Sequence, residues 1–219
     1  ISLRLVTGKG GSGMNLKILT CTSRSVTFEI EDGNIYESQE HYEVSLNGVS
    51  EDCGTRTVQS LYGLMPDSDY TVSVSGGGVS ASVGFHTEKE TATVNVLDFG
   101  ASGSGTSEDT AFLQAAILCC PEYGRVLVPA GTYLTGPLFL KSGIRLELAR
   151  GAVLAALTGR EQFPVLKGSI PCTDSKEEYN LGTWEGDPKD MYAAIITGVG
   201  IENVVIYGEG TIDGRADHG

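Results

Sequence analysis

The sequence predicts an all-β chain in two parts, a β-sandwich and then the first coils of a parallel β-helix that one short helix caps at its N-terminal end. Three observations lead there. Between Lys17 and Thr87, short runs alternate apolar and polar residues and are parted by clusters of turn formers. From Val94 onward, brief β-prone runs are broken by abrupt glycine turns with no helices between them, which suits a coil of parallel strands better than a doubly wound sheet. One stretch, at 109–119, has helical spacing.

The chain has 219 residues, with 28 Asp and Glu against 15 Lys and Arg, a formal charge of −13. At roughly 100–200 residues per domain, that length holds one or two domains with proper cores. With 40% apolar and 20% charged residues it is neither a disordered tail nor a disulfide miniprotein. Its acidity repels phosphates and anionic membrane surfaces, so neither nucleic acid nor a membrane is expected as a partner. No stretch approaches the roughly 18 apolar residues of a membrane-spanning helix, and Gln114 interrupts the run at 111–120.

Residues 1–13 are expected to be a leader, linker or tag, because a short apolar start gives way to glycine and lysine and Met14 reads like a native start. No export signal follows either point, so the cytoplasm is the expected location, with secretion the alternative if a signal lies upstream of Ile1. Five cysteines without a CxxC fit a reducing compartment and are expected mostly in the core.

Within residues 14–88, strands are expected at 17–19, 25–30, 41–46, 55–60, 70–75 and 81–86. Val26, Phe28 and Ile30 share one face of the second run, and Tyr42, Val44 and Leu46 repeat the pattern in the third. The segment Leu64-Met-Pro66-Asp-Ser68-Asp-Tyr70-Thr-Val72 describes a tyrosine corner, a proline-containing turn into a strand whose early tyrosine bonds back to upstream backbone. This part holds 11 acidic and 3 basic residues, so most of the chain's acidity sits here as a solvated surface.

In the second part, residues 94–219, the glycine-rich stretch SGSGTSEDT has no Gly-Lys-Ser/Thr after it and is read as a turn before the helix. Thr106 or Ser107 is the expected cap, Glu108 and Asp109 suit the first turn, and Phe112, Ala115, Ala116 and Cys119 form the expected buried stripe, with Pro121 ending the helix. Strands are expected at 125–129, 132–135, 138–140, 144–148, 153–156, 193–197, 204–207 and 211–213. The segment 158–191, with the chain's one Trp, is read as a long irregular loop, and such loops are commonly functional. Lys141, Arg145, Arg150, Arg160 and Lys167 form a local basic strip suited to steering a polyanion, or else ordinary outward strand positions. The acids Glu177, Glu178, Asp187 and Asp190, and the terminal cluster Asp213, Asp217, His218 and Gly219, are read as solvated surface, so no metal site is expected.

The 64–72 segment resembles a fibronectin type III domain, whose pattern has Leu, Pro, Ser/Thr, Tyr and Val at these positions, and the resemblance covers about residues 14–88. The second part carries a closer likeness. Val96-Leu-Asp-Phe-Gly-Ala101, Asp109-Thr110, Val126-Leu-Val-Pro-Ala-Gly-Thr-Tyr133, Leu134-Thr-Gly-Pro-Leu-Phe-Leu-Lys-Ser142, Ile144-Arg-Leu-Glu-Leu148 and Gly208-Glu-Gly-Thr-Ile-Asp-Gly214 occur in order. Together they resemble the start of a glycoside hydrolase family 28 polygalacturonase of the bacterial exo-acting type. The resemblance implies a right-handed, pectin lyase-like β-helix that hydrolyses α-1,4-galacturonan by inversion, with pectin or oligogalacturonide as partner and no cofactor. The family's Asn-x-Asp, Asp-Asp, Gly-His-Gly and Arg-x-Lys motifs do not occur in these 219 residues. The catalytic groups are therefore expected downstream of Gly219, and this piece alone is expected to be inactive.

A similar "WEG" followed by Tyr sits in a loop near the cleft of bacterial relatives, so the resemblance implies Trp184, Glu185 and Tyr192 as substrate-side residues; the alternative is that Trp184 only anchors its loop. The opening motif also occurs in tailspikes, and a noncatalytic, glycan-binding β-helix of tailspike or adhesin type is the alternative for the whole. Oligomeric state is not set by the sequence.

Overall fold

A computed structural model of the chain describes residues 7–9, 13–51, 54–171 and 178–216. It divides into two compact units, Ile1–Glu90 and Thr91–Gly219.

In the first unit the strands are β1 (Thr7–Lys9), β2 (Asn15–Cys21), β3 (Ser25–Glu31), β4 (Glu37–Leu46), β5 (Val49–Ser50), β6 (Gly54–Arg56), β7 (Val58–Tyr62), β8 (Asp69–Gly76) and β9 (Val79–His86). One antiparallel sheet has the order β1-β2-β3-β7; the other runs β5-β4-β8-β9, with β6 also on β4. Alternation puts Leu16, Ile18, Val26, Phe28 and Ile30 from the first sheet against Tyr42, Val44, Val72, Val74 and Val83 from the second, all in one buried cluster. The unit is thus a fibronectin type III-like sandwich. Its tyrosine corner forms as the sequence implies, with the Met65 amide donating to the Tyr70 hydroxyl at 2.9 Å. Two features depart from expectation. β1 falls inside the segment expected to be a leader, and it pairs antiparallel with β2. The run at 55–60 splits at Thr57, which is buried and turns its hydroxyl to the carbonyls of Ile35 and Tyr36.

The second unit begins with β10 (Thr93–Asn95), a 3-10 turn at Val96–Phe99, β11 (Ser104–Glu108) and helix α1 (Thr110–Cys119). Then come β12 (Arg125–Val128), β13 (Gly131–Thr135), β14 (Leu138–Phe139), β15 (Arg145–Leu148) and β16 (Ala152–Ala156). A 3-10 turn at Arg160–Gln162 leads to β17 (Val165–Leu166), β18 (Ser169–Pro171), β19 (Glu178–Asn180), β20 (Thr183–Trp184), β21 (Asp187–Pro188) and β22 (Met191–Tyr192). The chain closes with β23 (Ile196–Thr197), β24 (Val205–Gly208) and β25 (Thr211–Asp213).

Three stacks of parallel strands result, β10-β12-β15-β24, β11-β13-β16-β25 and β14-β23. Successive turns of the chain add strands to these stacks in sequence order, which is a β-helix. Register carries the core upward in rows, with Val94, Val126, Leu146 and Ile206 aligned in one stack and Tyr133, Leu154 and Ile212 in the next. Abrupt corners need glycine where backbone crowds backbone. A Cβ on Gly208, at φ 114°, would stand 2.1 Å from the Leu148 carbonyl oxygen.

The helix closes the first coil, where the third strand of that coil would lie, but its details correct the sequence reading. Residues 104–108 form a strand on β13 and not a turn; the register shifts between Ser104 and Glu108, so the extra residues are absorbed in a bulge. The N-cap is Asp109, not Thr106 or Ser107, and its side chain makes no cap bond. Its buried carboxylate instead accepts from the amides of Ser102 at 2.7 Å and Gly103 at 3.1 Å, fixing the bulge. The buried stripe is Leu113, Ala116 and Ile117, one position on from the expected set apart from the shared Ala116, and Phe112 is exposed. Each of the two large side chains stabilises the cap by roughly 1.5–3 kcal/mol.

The cysteines also differ from expectation, since Cys120 is buried, Cys21 half-buried and Cys119 exposed, while Cys53 and Cys172 lie outside the described residues. Burial, and then the charge of Glu88, push the Cys21 thiol up to about 11, so it stays protonated at neutral pH. Among the described residues no helix is long and apolar enough to cross a membrane.

Candidate functional site

The described residues of the segment expected to be an irregular loop form an arm of short strand pairs between β16 and β23. β17 and β22 pair antiparallel as its stem. Two small antiparallel pairs, β18 with β19 and β20 with β21, follow one another inside it. Backbone bonds lock these pieces, with the Leu181 amide donating to the Gly168 carbonyl at 2.9 Å and the Lys189 amide to the Gly182 carbonyl at 3.0 Å. Gly168 is required there, because a Cβ would meet the Lys189 backbone at 2.4 Å. Asp190 ties the stem further, accepting from Lys167 Nζ at 2.8 Å and from the Gly168 amide at 3.0 Å. Those two bonds hold the Asp190 carboxyl below the usual carboxylate range, so it stays ionised and is not poised to donate a proton.

The tip hairpin displays the sequence-predicted residues. Glu185 at φ 52° and Gly186 at φ 90° occupy the two central positions between β20 and β21, both left-handed, as a two-residue hairpin of the I′ kind demands. Trp184, which precedes that turn, is 70% exposed. Tyr192 is 53% exposed on the stem strand β22. The arm thus carries all three residues, Trp184 and Glu185 together at the tip and Tyr192 at the stem, and no hydrogen bond joins them among the described residues. Such an arrangement offers aromatic faces to a sugar ring and a carboxylate to its hydroxyls; it holds no acid–base pair. Met191 and Val165, also exposed on the stem, escaped the sequence reading because a strand pair of two residues has no readable period.

The basic strip is not one continuous face: Arg160 is exposed on the 3-10 turn, and the other four are engaged. Lys141 donates to the last helix carbonyls, Leu118 O at 2.8 Å and Cys120 O at 2.6 Å. Arg145 is buried and donates to the Asn203 carbonyl at 2.8 Å, Arg150 pairs with Glu209, and Lys167 pairs with Asp190. Of the acids read as surface, Asp187 and Asp213 are exposed, while Glu177, Asp217, His218 and Gly219 lie outside the described residues. Among the described residues no group of three His, Cys, Asp or Glu is placed to hold a metal ion.

Three parallel stacks, a helix over the first coil and an arm ahead of β23 define the second unit as a right-handed parallel β-helix. Residues 93–174 match the model of the rhamnogalacturonase A/epimerase, pectate lyase-like family. Among its sequence relatives are polygalacturonases. An exo-poly-α-D-galacturonosidase of Dickeya chrysanthemi is 34% identical over 128 residues, covering 56% of this chain and 19% of that protein. A probable polygalacturonase of Vitis vinifera is 34% identical over 127 residues, covering 55% of this chain and 24% of that one. The structure of a family 28 exopolygalacturonase of Yersinia enterocolitica shares the fold over 92% of this chain and 41% of its own, at a TM-score of 0.65 and 21% identity. The chain therefore spans about a fifth to a quarter of the length of these curated relatives.

Proposed function

We propose that the chain is the N-terminal portion of a polygalacturonase that hydrolyses α-1,4-galacturonan by inversion, with Trp184, Glu185 and Tyr192 on the arm as substrate-side residues. The observation that carries the reading is the 34% identity to polygalacturonases across 128 residues. Inverting hydrolysis needs one carboxylic acid to protonate the leaving oxygen and one carboxylate to activate water. Neither paired-aspartate motif of the family occurs in these residues, so further coils would supply both groups. The arm's part is positioning: an exposed indole on a locked hairpin stacks on a sugar ring at little cost in ordering.

The test is release of reducing ends from polygalacturonate by this chain and by the protein extended through the coils that bear the motifs. The extended protein is expected to release them and the 219-residue chain is not. In the extended protein, Trp184→Ala is expected to raise KM by about tenfold with a smaller change in kcat, since stacking acts on ground state and transition state alike. Glycan binding without hydrolysis by the extended protein would overturn the proposal in favour of a noncatalytic binding β-helix.

A further inference from the structure

We propose that the sandwich unit carries a saccharide-binding site of its own, specific for uncharged pyranose rings, where Ile35, Tyr36, Glu37, Arg56, Thr57 and Val58 line an open cavity of about 270 Å3. The inference stands on this unit alone and does not depend on the activity of the β-helix.

Tyr36 is 83% exposed and Ile35 77%, and neither belongs to the core cluster that takes up Phe28, Tyr42 and Phe85. They are nevertheless rigidly presented. The Thr57 amide donates to the Tyr36 carbonyl at 3.0 Å, and the Thr57 hydroxyl lies 3.1 Å from the carbonyls of both Ile35 and Tyr36. Thr57 itself is buried, and it is the residue that splits β6 from β7. A buried clamp thus fixes the backbone beneath an exposed ring, so little ordering entropy is lost when something stacks on it.

Beside the ring, Glu37 and Arg56 are direct cross-strand partners of β4 and β6. The other two bases of residues 14–88 are engaged, Lys17 with Glu29 at 3.7 Å and Arg24 with Glu90 at 2.9 Å. Arg56 has no acidic partner within 4 Å among the described residues. An aromatic face flanked by guanidinium donors and carboxylate acceptors matches a pyranose, which has a C–H face and a rim of hydroxyls that both donate and accept.

Two other ligand chemistries fit less well. A stable protein partner covers roughly 800 Å2 per side, whereas the apolar surface here amounts to three side chains, Ile35, Tyr36 and Val58. A polyuronate would approach a unit with 11 acids against 3 bases, which repels it.

The test is native affinity electrophoresis of the full chain through gels holding soluble galactan, xyloglucan or polygalacturonate. Retardation by at least one of the two uncharged polymers is expected. Tyr36→Ala should weaken it by more than about tenfold in Kd and Arg56→Met by about fivefold, while Tyr62→Ala, at an exposed tyrosine outside the cavity, leaves it unchanged. Because Tyr36 is solvent-exposed, its variant should melt within a few degrees of the parent, and Arg56→Met tests the same site independently. No retardation by either uncharged polymer, retardation that Tyr36→Ala leaves intact, or tighter binding to polygalacturonate than to both uncharged polymers would each overturn the proposal.

Discussion

The side chain of Gln114 does the work of a missing strand. Its amide donates from Nε2 to the Phe139 carbonyl at 2.9 Å and accepts at Oε1 from the Phe139 amide at 2.8 Å, the pair of bonds that a neighbouring backbone would make. β14 has β23 on one side and only α1 on the other, so these bonds satisfy an edge that would otherwise solicit another chain. Gln114→Leu keeps the size and improves helix propensity yet strips both bonds. We expect it to lower stability by about 1–2 kcal/mol, read as a shift in the urea midpoint at unchanged slope. An unchanged midpoint would show that water serves the edge equally well. His86 offers a second test. Its ring lies 3.0 Å from Asp67 and 2.8 Å from Asp69, and the bond to Asp67, then that to Asp69, raise its pKa. A raised folded-state pKa stabilises fully below the ordinary histidine range, and the gain is lost as pH rises through the raised value. The sandwich should therefore melt lower at pH 8.5 than at pH 6, and in His86→Gln that difference should shrink; equal slopes in both would remove His86 from the account.

Elements with a period were legible from the sequence, and those without one were not. Alternation in 25–30 and 70–75 located β3 and β8 within a residue or so, because each strand is long enough to bury one face. The glycine corners likewise located β12, β13, β15 and β16. Residues 104–108 read as a turn because Gly103, Gly105 and the serines around Thr106 are poor strand formers; the Asp109 carboxylate and a partner on β13 make a strand there all the same. The helical stripe slipped by one place because 111–120 is apolar on most sides, so periodicity could not choose between Phe112 and Leu113. In the arm, the sequence pointed to Trp184, Glu185 and Tyr192 but not to their scaffold. Strands of two or three residues are held there by close backbone approach at Gly168 and by the side chain of Asp190, and neither leaves a periodic trace.

In the molecule as a whole, the first and last described coils of the β-helix are unequal. The first coil is closed by α1, with Leu113, Ala116 and Ile117 beneath it and Thr110 Oγ1 accepting from the Gly136 amide at 2.8 Å. In the last described coil, β24 and β25 have parallel neighbours on one side only among the described residues. Ile206 and Ile212 continue the inward rows of Leu146 and Leu154, but they are 41% and 42% exposed, whereas the residues below them are buried. Apolar side chains next to unpaired strand backbone form a template on which a second chain can add. The 219-residue chain is therefore expected to self-associate through this end, with sedimentation moving to larger species as concentration rises. Two changes should act oppositely to a nonspecific effect. Ile206→Lys and Ile212→Lys, facing the open end, should restore a monomer, while Ile35→Lys, on the acidic sandwich and more exposed still, should leave association unchanged. A monomer at all concentrations, with C-terminal amides as protected from exchange as those of β15 and β16, would mean that the last coil is stable uncovered and that the edge needs no partner.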